Sequence, residues 1–181
     1  MGRLNVVLYY APIAVLRKRA PLTDPPPAAI LPAMDGIVIY TDGGCSGNPG
    51  PGGWAFVLRD GSGETIGSGG EAATTNNRME LRAVISALTE AERRSPGAPV
   101  VLYTDSQYVK NGITSWIASW KRNGWRTSDR KPVKNRELWE ELDAVASRVR
   151  PRFLWVEGHA GVEDNERCDA LVQQEIRKIA R

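Results

Sequence analysis

Two stretches of the sequence share one pattern: Ile37-Val-Ile-Tyr-Thr-Asp42 and Val100-Val-Leu-Tyr-Thr-Asp105. Each is an apolar run of strand length, and each ends in Tyr-Thr-Asp. The continuous apolar run at 99–104 is typical of a parallel strand that is covered on both faces. In open α/β sheets, ligands bind beyond the carboxyl ends of such strands. If the two strands are neighbours, the carboxylates of Asp42 and Asp105 lie side by side.

Outward from these strands, the hydrophobic periodicity predicts the element order βββαβαααβα. An antiparallel meander followed by βα units predicts the α/β class, with a five-stranded mixed sheet flanked by helices. Glycine and proline at 43–53 predict a loop, and Asn76 or Asn77 is expected to cap the first long helix. The strands are predicted at 37–41, 54–59, 64–72, 99–104 and 153–156, and the helices at 76–93, 106–111, 115–122, 136–148 and 165–179.

The 181 residues fit one domain plus a tail. The net charge is only +3, yet the stretch from Lys110 to Arg136 holds eight Lys/Arg and one acid, Asp129. A local excess of positive charge in a near-neutral protein indicates a site for a polyanion. No apolar run approaches the ~18 residues of a membrane span, so we expect no membrane partner. Two cysteines and one histidine are a poor set for a zinc site.

Residues 1–35 differ in composition from the rest of the chain. They contain six of the twelve prolines and show no sustained periodicity. We expect an N-terminal extension at 1–35, extended or disordered, followed by one folded domain at 36–181. Met34 as the true translation start is one explanation of the extension, and a transit peptide is another. A cytoplasmic location with reduced thiols is the default expectation.

Three more residues carry groups that suit a polar site. Glu80 lies beside Leu81 on the core-facing stripe of its predicted helix, so we expect it at the edge of the buried face. Asp169 flanks the inward stripe of the last helix in the same way. His159 lies in a loop of small residues, where an exposed imidazole suits proton transfer or product release.

Each acid also has a simpler local explanation. Asp42 could stabilise a glycine turn, Asp105 could cap the following helix, and Glu80 could favour the helix dipole. Asp169 alone could be a solvated surface acid. Brought together, however, the four carboxylates would repel one another and raise their pKa values. A hard divalent cation relieves such repulsion, and carboxylate oxygens are the ligands that Mg²⁺ selects.

The basic segment interleaves tryptophans with cations. Trp116 and Trp120 are four residues apart and share one helix face. Aromatic rings and cations together suit a sugar-phosphate strand. Alternatively, the tryptophans pack a small subcore while the cations face water. This alternative explains the presence of the tryptophans better than it explains the local excess of positive charge.

Five motifs occur in order along the chain, and together they are far more specific than any one of them. They are Thr41-Asp-Gly-Gly-Cys-Ser-Gly-Asn-Pro-Gly-Pro-Gly-Gly53, Thr74-Thr-Asn-Asn-Arg-Met-Glu-Leu81, Thr104-Asp-Ser-Gln-Tyr-Val109, Lys131-Pro-Val-Lys-Asn135, and Gly158-His-Ala-Gly161 with Asn165-Glu-Arg-Cys-Asp169. Over some 145 residues these motifs resemble type 1 ribonuclease H of the bacterial kind. The resemblance covers residues 36 to 180 and implies the ribonuclease H-like fold, a catalytic domain at 36–181 and a basic helix-loop handle at Lys110–Arg130.

The resemblance implies an endonuclease that hydrolyses the RNA strand of RNA–DNA hybrids, with little sequence specificity. The implied cofactor is Mg²⁺, two ions roughly 4 Å apart, with Mn²⁺ as a substitute. The implied products carry 5′-phosphate and 3′-hydroxyl ends. His159 would assist proton movement or product release. The metal ligands would be the four acids, with Asp42 bridging the ions: Asp42, Glu80, Asp105 and Asp169.

The resemblance also implies contacts to both strands of the hybrid. Residues matching the RNA-strand contacts are Gly43, Cys45, Asn48, Asn76 and Gln107. Residues matching the DNA-strand contacts are Thr75, Asn135, Trp116, Trp120, Lys121, Arg122 and Arg126. Relatives often carry arginine two places before Thr75, where this chain has Ala73, a departure that concerns the DNA-phosphate pocket and not the chemistry.

Two other functions fit parts of the pattern. A hybrid-binding module without catalysis would keep the handle and lose at least one acid, yet all four acids are present. Another nuclease or a transposase would share the strand-end acids but not the tryptophan-rich handle. We expect a monomer with no obligate protein partner.

Overall fold

The computed structural model describes residues 36–180. The predicted extension at 1–35 therefore lies outside the described part of the chain. Within that part, no helix has the length and apolar character needed to cross a membrane.

Within residues 36–180, five strands and five α-helices follow the predicted order. The strands are β1 Ile37–Cys45, β2 Gly50–Asp60, β3 Gly63–Thr74, β4 Val100–Thr104 and β5 Arg152–Trp155. The helices are α1 Asn76–Arg94, α2 Gln107–Asn111, α3 Ile117–Arg122, α4 Arg136–Val149 and α5 Glu163–Ile179, with a π-helical turn at Gly112–Trp116 between α2 and α3.

The strands form one mixed sheet in the order β3-β2-β1-β4-β5. β1, β2 and β3 make the antiparallel meander, and β1, β4 and β5 are parallel. This confirms the predicted α/β sheet. It also makes β1 and β4 neighbours, with Thr41 beside Thr104. Asp42 and Asp105 therefore both follow the last residue pair of the parallel β1–β4 ladder, at the same end of that ladder.

Alternation along β2 shows how the helices cover the two faces of the sheet. Phe56 and Leu58 belong to the main core with α1 and α4, whereas Ala55 and Val57 pack with Cys168 and other residues of α5. Because side chains alternate along a strand, α5 covers the face opposite α1. Cys168, predicted on the inward stripe, is fully buried.

The predicted loop at 43–53 is mostly strand. β1 continues to Cys45 and β2 begins at Gly50, so only residues 46–49 connect them. Gly47, with φ 80°, serves the connection, but glycines within the strands serve close packing. A Cβ on Gly53, for example, would lie 2.7 Å from the Val172 backbone oxygen of α5. Turn-like composition therefore misled the sequence prediction.

The predicted cap of α1 was wrong by one residue. Thr75 occupies the N-cap position and makes no capping bond through its side chain. Instead, Asn48 Oδ1 accepts a hydrogen bond from the Asn76 backbone N–H, at 3.4 Å. A side chain 28 residues away thus serves an N–H group that a helix start leaves without an intrahelical partner. No local signal in the sequence encodes that contact.

Candidate active site

The Tyr-Thr-Asp repeats pack as the register of β1 and β4 requires. The Tyr40 and Tyr103 rings stack with centroids 4.8 Å apart. Thr41 is fully buried, and its hydroxyl donates to the Tyr103 carbonyl at 3.4 Å. These paired residues place the two aspartates that follow them at one end of the sheet.

Glu80 joins the two aspartates from helix α1. It is more deeply buried than predicted, at 6% exposure rather than at the edge of the core. The helix can lie this close because Gly43 has no side chain. A Cβ there would fall 2.3 Å from the Glu80 backbone nitrogen. Glycine at position 43 thus admits the helix that carries the third acid.

Asp42, Glu80 and Asp105 form a compact acidic group. One carboxylate oxygen from each lies within 4.8 Å of the other two. The only side-chain hydrogen bond that Asp42 accepts within the described residues comes from the Gly43 backbone N–H, at 2.8 Å. Glu80 Oε2 is buried and has no hydrogen-bond partner there. Three carboxylate oxygens close to one another, together with a buried Glu80 oxygen that has no partner in the described residues, fit a hard divalent cation.

The pKa values of this group show the cost of its arrangement without a cation. Burial, followed by the charge of Asp105, raises the pKa of Asp42 to about 7. The Gly43 N–H opposes this rise, and Asp169 adds to it. Burial also raises the pKa of Glu80, with Asp42 and Asp105 contributing. Because these shifts disfavour the charged forms, a bound cation has much repulsion to relieve.

Asp169 and His159 lie nearby but outside the compact group. Half-buried Asp169 lines the same cavity, of about 360 Å³, as the three acids. His159 is exposed, as predicted, in the loop between β5 and α5, and has left-handed backbone geometry (φ 57°). The charge of His159 lowers the pKa of Asp42, which shows that the two are within electrostatic reach.

The predicted RNA-strand residues divide into two sets. Gly43, Cys45 and Asn76 line the cavity with the acids. Asn48 is exposed between β1 and β2, does not line the cavity, and accepts from the Asn76 backbone N–H. Gln107, at the start of α2, does not line the cavity, and its Oε1 accepts from Asn111 at 3.4 Å.

Sequence reasoning assigned no role to two further residues at the site. Gln173 lines the cavity four residues after Asp169 on α5. That helical spacing was the signal that could have found it. Asn165 is 3% exposed, and its Nδ2 lies 3.4 Å from Asp105 Oδ2. Asn165 was part of a quoted motif, but its contact with Asp105 depends on how α5 meets β4.

The handle tryptophans form an aromatic cluster. Trp116 and Trp120 lie 5.7 Å apart, and the cluster continues to Tyr108 and Trp139. Trp120 packs against the main core, whereas Trp116 keeps 39% exposure. The subcore explanation therefore accounts for Trp120 better than a nucleic-acid contact does.

The cations of the handle differ in how far they are already engaged. Lys121 Nζ forms a salt bridge with Asp143 of α4. Arg126 Nη1 donates to the Arg130 carbonyl at 2.8 Å. Arg122 is exposed and makes no ion pair within the described residues. Of the three predicted DNA-strand cations, Arg122 is thus the most available.

The two remaining residues predicted to contact the DNA strand lie at helix starts. Thr75 precedes α1 and Asn135 precedes α4. An ion pair between Arg78 and Glu137 joins the first turns of these helices. Asn135 Nδ2 also donates to the Tyr108 hydroxyl at 3.4 Å, which links it to the aromatic cluster.

Comparisons with known proteins agree with this fold and show the family. The family model described as RNase H matches residues 34–177. A ribonuclease H of Rhodopseudomonas palustris (strain BisB5) is 57% identical over 145 residues, which cover 80% of this chain and 95% of that protein. A ribonuclease H of Afipia carboxidovorans is 59% identical over 143 residues, covering 79% and 94%.

Solved structures of this class are similar as well. LC9-RNase H1, described as a type 1 RNase H with the type 2 active-site motif, has a TM-score of 0.72 at 30% identity, covering 81% of this chain and 74% of that one. LC11-RNase H1, solved in complex with an RNA/DNA hybrid, has a TM-score of 0.62 at 26% identity, covering 80% and 99%. Fold and site define a nuclease with an acidic centre. The chain belongs to the ribonuclease H family and is an enzyme of that class.

Proposed function

We propose that this chain is an endonuclease that hydrolyses the RNA strand of RNA–DNA hybrids with the help of Mg²⁺. The observation that carries this proposal is the compact group of Asp42, Glu80 and Asp105 at the carboxyl ends of two parallel strands. Family membership supports the reaction class, and the hybrid in the LC11-RNase H1 complex supports the substrate class.

The acids of the cavity are the residues that would hold the cofactor. Asp42, Glu80 and Asp105 would hold one ion, and Asp42 with Asp169 a second. When bound, such ions activate water and stabilise the departing oxygen in phosphodiester hydrolysis. The donor set contains only carboxylate oxygens, which suits Mg²⁺ and also admits Mn²⁺.

The protein residues would orient the substrate and move protons. Asp42 is buried and central, so its loss would disturb every other acid. His159 is exposed beside the cavity, where its imidazole would exchange protons with solvent or loosen the product. Cleavage that leaves 5′-phosphate and 3′-hydroxyl ends is the outcome we propose.

Neutral groups on the other side of the cavity would contact the RNA strand. Gly43, Cys45 and Asn76 line the cavity without adding negative charge, and Asn48 and Gln107 would extend the contact. The 2′-hydroxyl would identify RNA, because it is the donor and acceptor that DNA lacks. Specificity for base sequence would be low, since the minor-groove edges are degenerate.

The handle would hold the DNA strand. Exposed Trp116 and the cation of Arg122 support this role, and Thr75 and Asn135 would bind a phosphate near the helix starts. Lys121 and Arg126 would contribute less charge because each already has a partner in the protein.

We also propose that the enzyme acts as a monomer in the cytoplasm. The absence of a membrane-spanning helix in the described residues is compatible with this location. Light scattering coupled to gel filtration at working concentration tests the monomer directly, and a stable dimer would contradict it.

One assay tests the reaction. Purified protein is incubated with Mg²⁺ and labelled RNA–DNA hybrid, duplex DNA or duplex RNA, and the product ends are mapped. We expect cleavage of the hybrid's RNA strand alone, with 5′-phosphate ends. Asp42→Asn should fold and lose this activity. Equal cleavage of duplex DNA, or retained activity in the variant, would overturn the proposal.

A further inference from the structure

Asp105 lies where regular structure no longer holds its backbone. β4 ends at Thr104, and the β4–β5 ladder closes with the Val156 N–H donating to the Thr104 carbonyl at 3.1 Å. The next carbonyl, that of Asp105, accepts instead from a side chain. Trp155 Nε1 donates to it at 3.0 Å, across 50 residues of sequence.

Trp155 is placed to make this contact by the sheet register. It is the last residue of β5 and lies beside Thr104. Its ring keeps 41% exposure, which is high for so large an apolar side chain. Partial burial alone therefore gives little reason for a tryptophan at this position, whereas the indole N–H has a specific acceptor.

Two other residues lie beside the carboxylate of the same aspartate: Gly158 leaves room for it, and Asn165 donates to it. A Cβ on Gly158 would lie 3.0 Å from Asp105 Oδ2, and Asn165 Nδ2 lies 3.4 Å from that oxygen. Asp105 must keep its carboxylate within 4.8 Å of two others despite their mutual repulsion. Groups that fix the backbone and the side chain resist its rotation out of the cluster.

We propose that Trp155 is a positioning residue, whose indole N–H holds the Asp105 backbone so that the carboxylate stays in the acidic group. This inference rests on the proposed function for its kinetic consequence but not for its metal-binding consequence. Loss of an outer partner of a metal ligand typically costs about 10- to 100-fold in metal affinity or activity.

The test variant removes the indole N–H donor of Trp155 and keeps an aromatic ring at that position. For Trp155→Phe we expect metal-free protein to bind Mn²⁺ about ten-fold more weakly by calorimetry without nucleic acid. On hybrid substrate, kcat should fall by a similar factor and KM should stay within about two-fold. Phe153→Leu is the matched control, because Phe153 lies two residues earlier on β5, pairs with Leu102 rather than with the end of β4, and packs against the main core. It should change neither Mn²⁺ affinity nor kcat.

Each outcome either supports or contradicts the positioning role of Trp155. Unchanged Mn²⁺ affinity and kcat in Trp155→Phe would overturn the proposal, and so would a change in KM alone, which would indicate a nucleic-acid contact of the ring. Should Trp155→Phe fail to fold, Trp155→Tyr, which also lacks the indole donor, replaces it. If wild-type protein does not cleave the hybrid, the proposed function fails, while the calorimetric comparison still tests Trp155.

Discussion

Gly43 packs against the backbone of Glu80 so closely that a Cβ on Gly43 would lie 2.3 Å from the Glu80 nitrogen. The contact joins the end of β1, directly after Asp42, to the first turns of α1. Two acids of the site are therefore held together by the absence of a side chain between them. Any larger residue must push the strand and the helix apart.

The variant Gly43→Ala tests this contact. We expect the free energy of unfolding to fall by roughly 1–3 kcal/mol, because backbone atoms must move to admit the methyl group. The rate of hybrid cleavage should fall by more than the loss of folded protein explains, since Glu80 moves away from Asp42. Chemical denaturation and a cleavage assay measure the two effects. Gly44→Ala is the control for stability, because its Cβ would meet side chains rather than backbone, Val172 at 3.3 Å and Asn76 at 3.7 Å. An equal loss in both variants would refute the explanation.

Metal-free stability should depend on the charge of Asp42. Its folded pKa of about 7 exceeds the unfolded value of about 4, so folding favours the protonated form. Stability from this group is present below pH ~4 and is lost as pH rises towards 7, by about 1.4 kcal/mol per pKa unit. Asp42→Asn should flatten that decline in thermal unfolding with chelator present. At pH 8, Mg²⁺ should stabilise the wild-type protein far more than the variant. Parallel curves of unfolding temperature against pH for the two proteins would contradict the role of Asp42.

Single handle cations should differ in their effect on hybrid binding. Arg122→Gln should reduce the slope of log K against log salt concentration by about one, because an available cation displaces roughly one counterion. Lys121→Gln should reduce the slope less, since Asp143 already neutralises part of its charge. Fluorescence anisotropy with Asp42→Asn as the background prevents cleavage during the titration. Lys178→Gln, at the far end of α5, controls for net charge. A larger slope change for Lys121 than for Arg122 would reverse our ranking.

The ion pair between Arg94 and Asp60 should determine how the free energy of unfolding changes in acid. Arg94, at the end of α1, donates to Asp60 at 2.8 Å, and Ser62 donates to the same carboxylate through its backbone N–H and its hydroxyl. Arg94 and Ser62 hold the pKa of Asp60 well below its usual range. The stabilisation is therefore present at neutral pH and is lost as pH falls below ~4.

Asp60→Asn should lower the free energy of unfolding by about 1–3 kcal/mol at pH 7, because charge-assisted hydrogen bonds are lost. The difference from wild type should shrink in acid. Urea unfolding at several pH values measures it. Glu92→Gln breaks the more exposed Arg148 pair and should have a smaller effect. A pH-independent difference for Asp60→Asn would show that the pair is not the cause.

Much of the fold and part of the site could be predicted from local sequence. Apolar runs that end in Tyr-Thr-Asp predicted β1, β4 and two acids at one edge, because strand period and burial are local properties. The same reasoning failed at residues 43–53, where glycines pair in strands and admit α1 and α5. Glycine composition reports freedom of the backbone, and only the packing shows whether that freedom serves a turn or a close approach.

What the sequence determined by itself is the order of elements, the two strand-end aspartates and the family to which the motifs point. Tertiary structure alone decided that Glu80 is buried with a partnerless oxygen, that Lys121 already has a counter-charge, and that Trp155 reaches the Asp105 carbonyl. The physical reason is distance along the chain. Periodicity and caps depend on neighbours a few residues apart, whereas the Trp155–Asp105 contact spans 50 residues and exists only because β4 and β5 lie in parallel register.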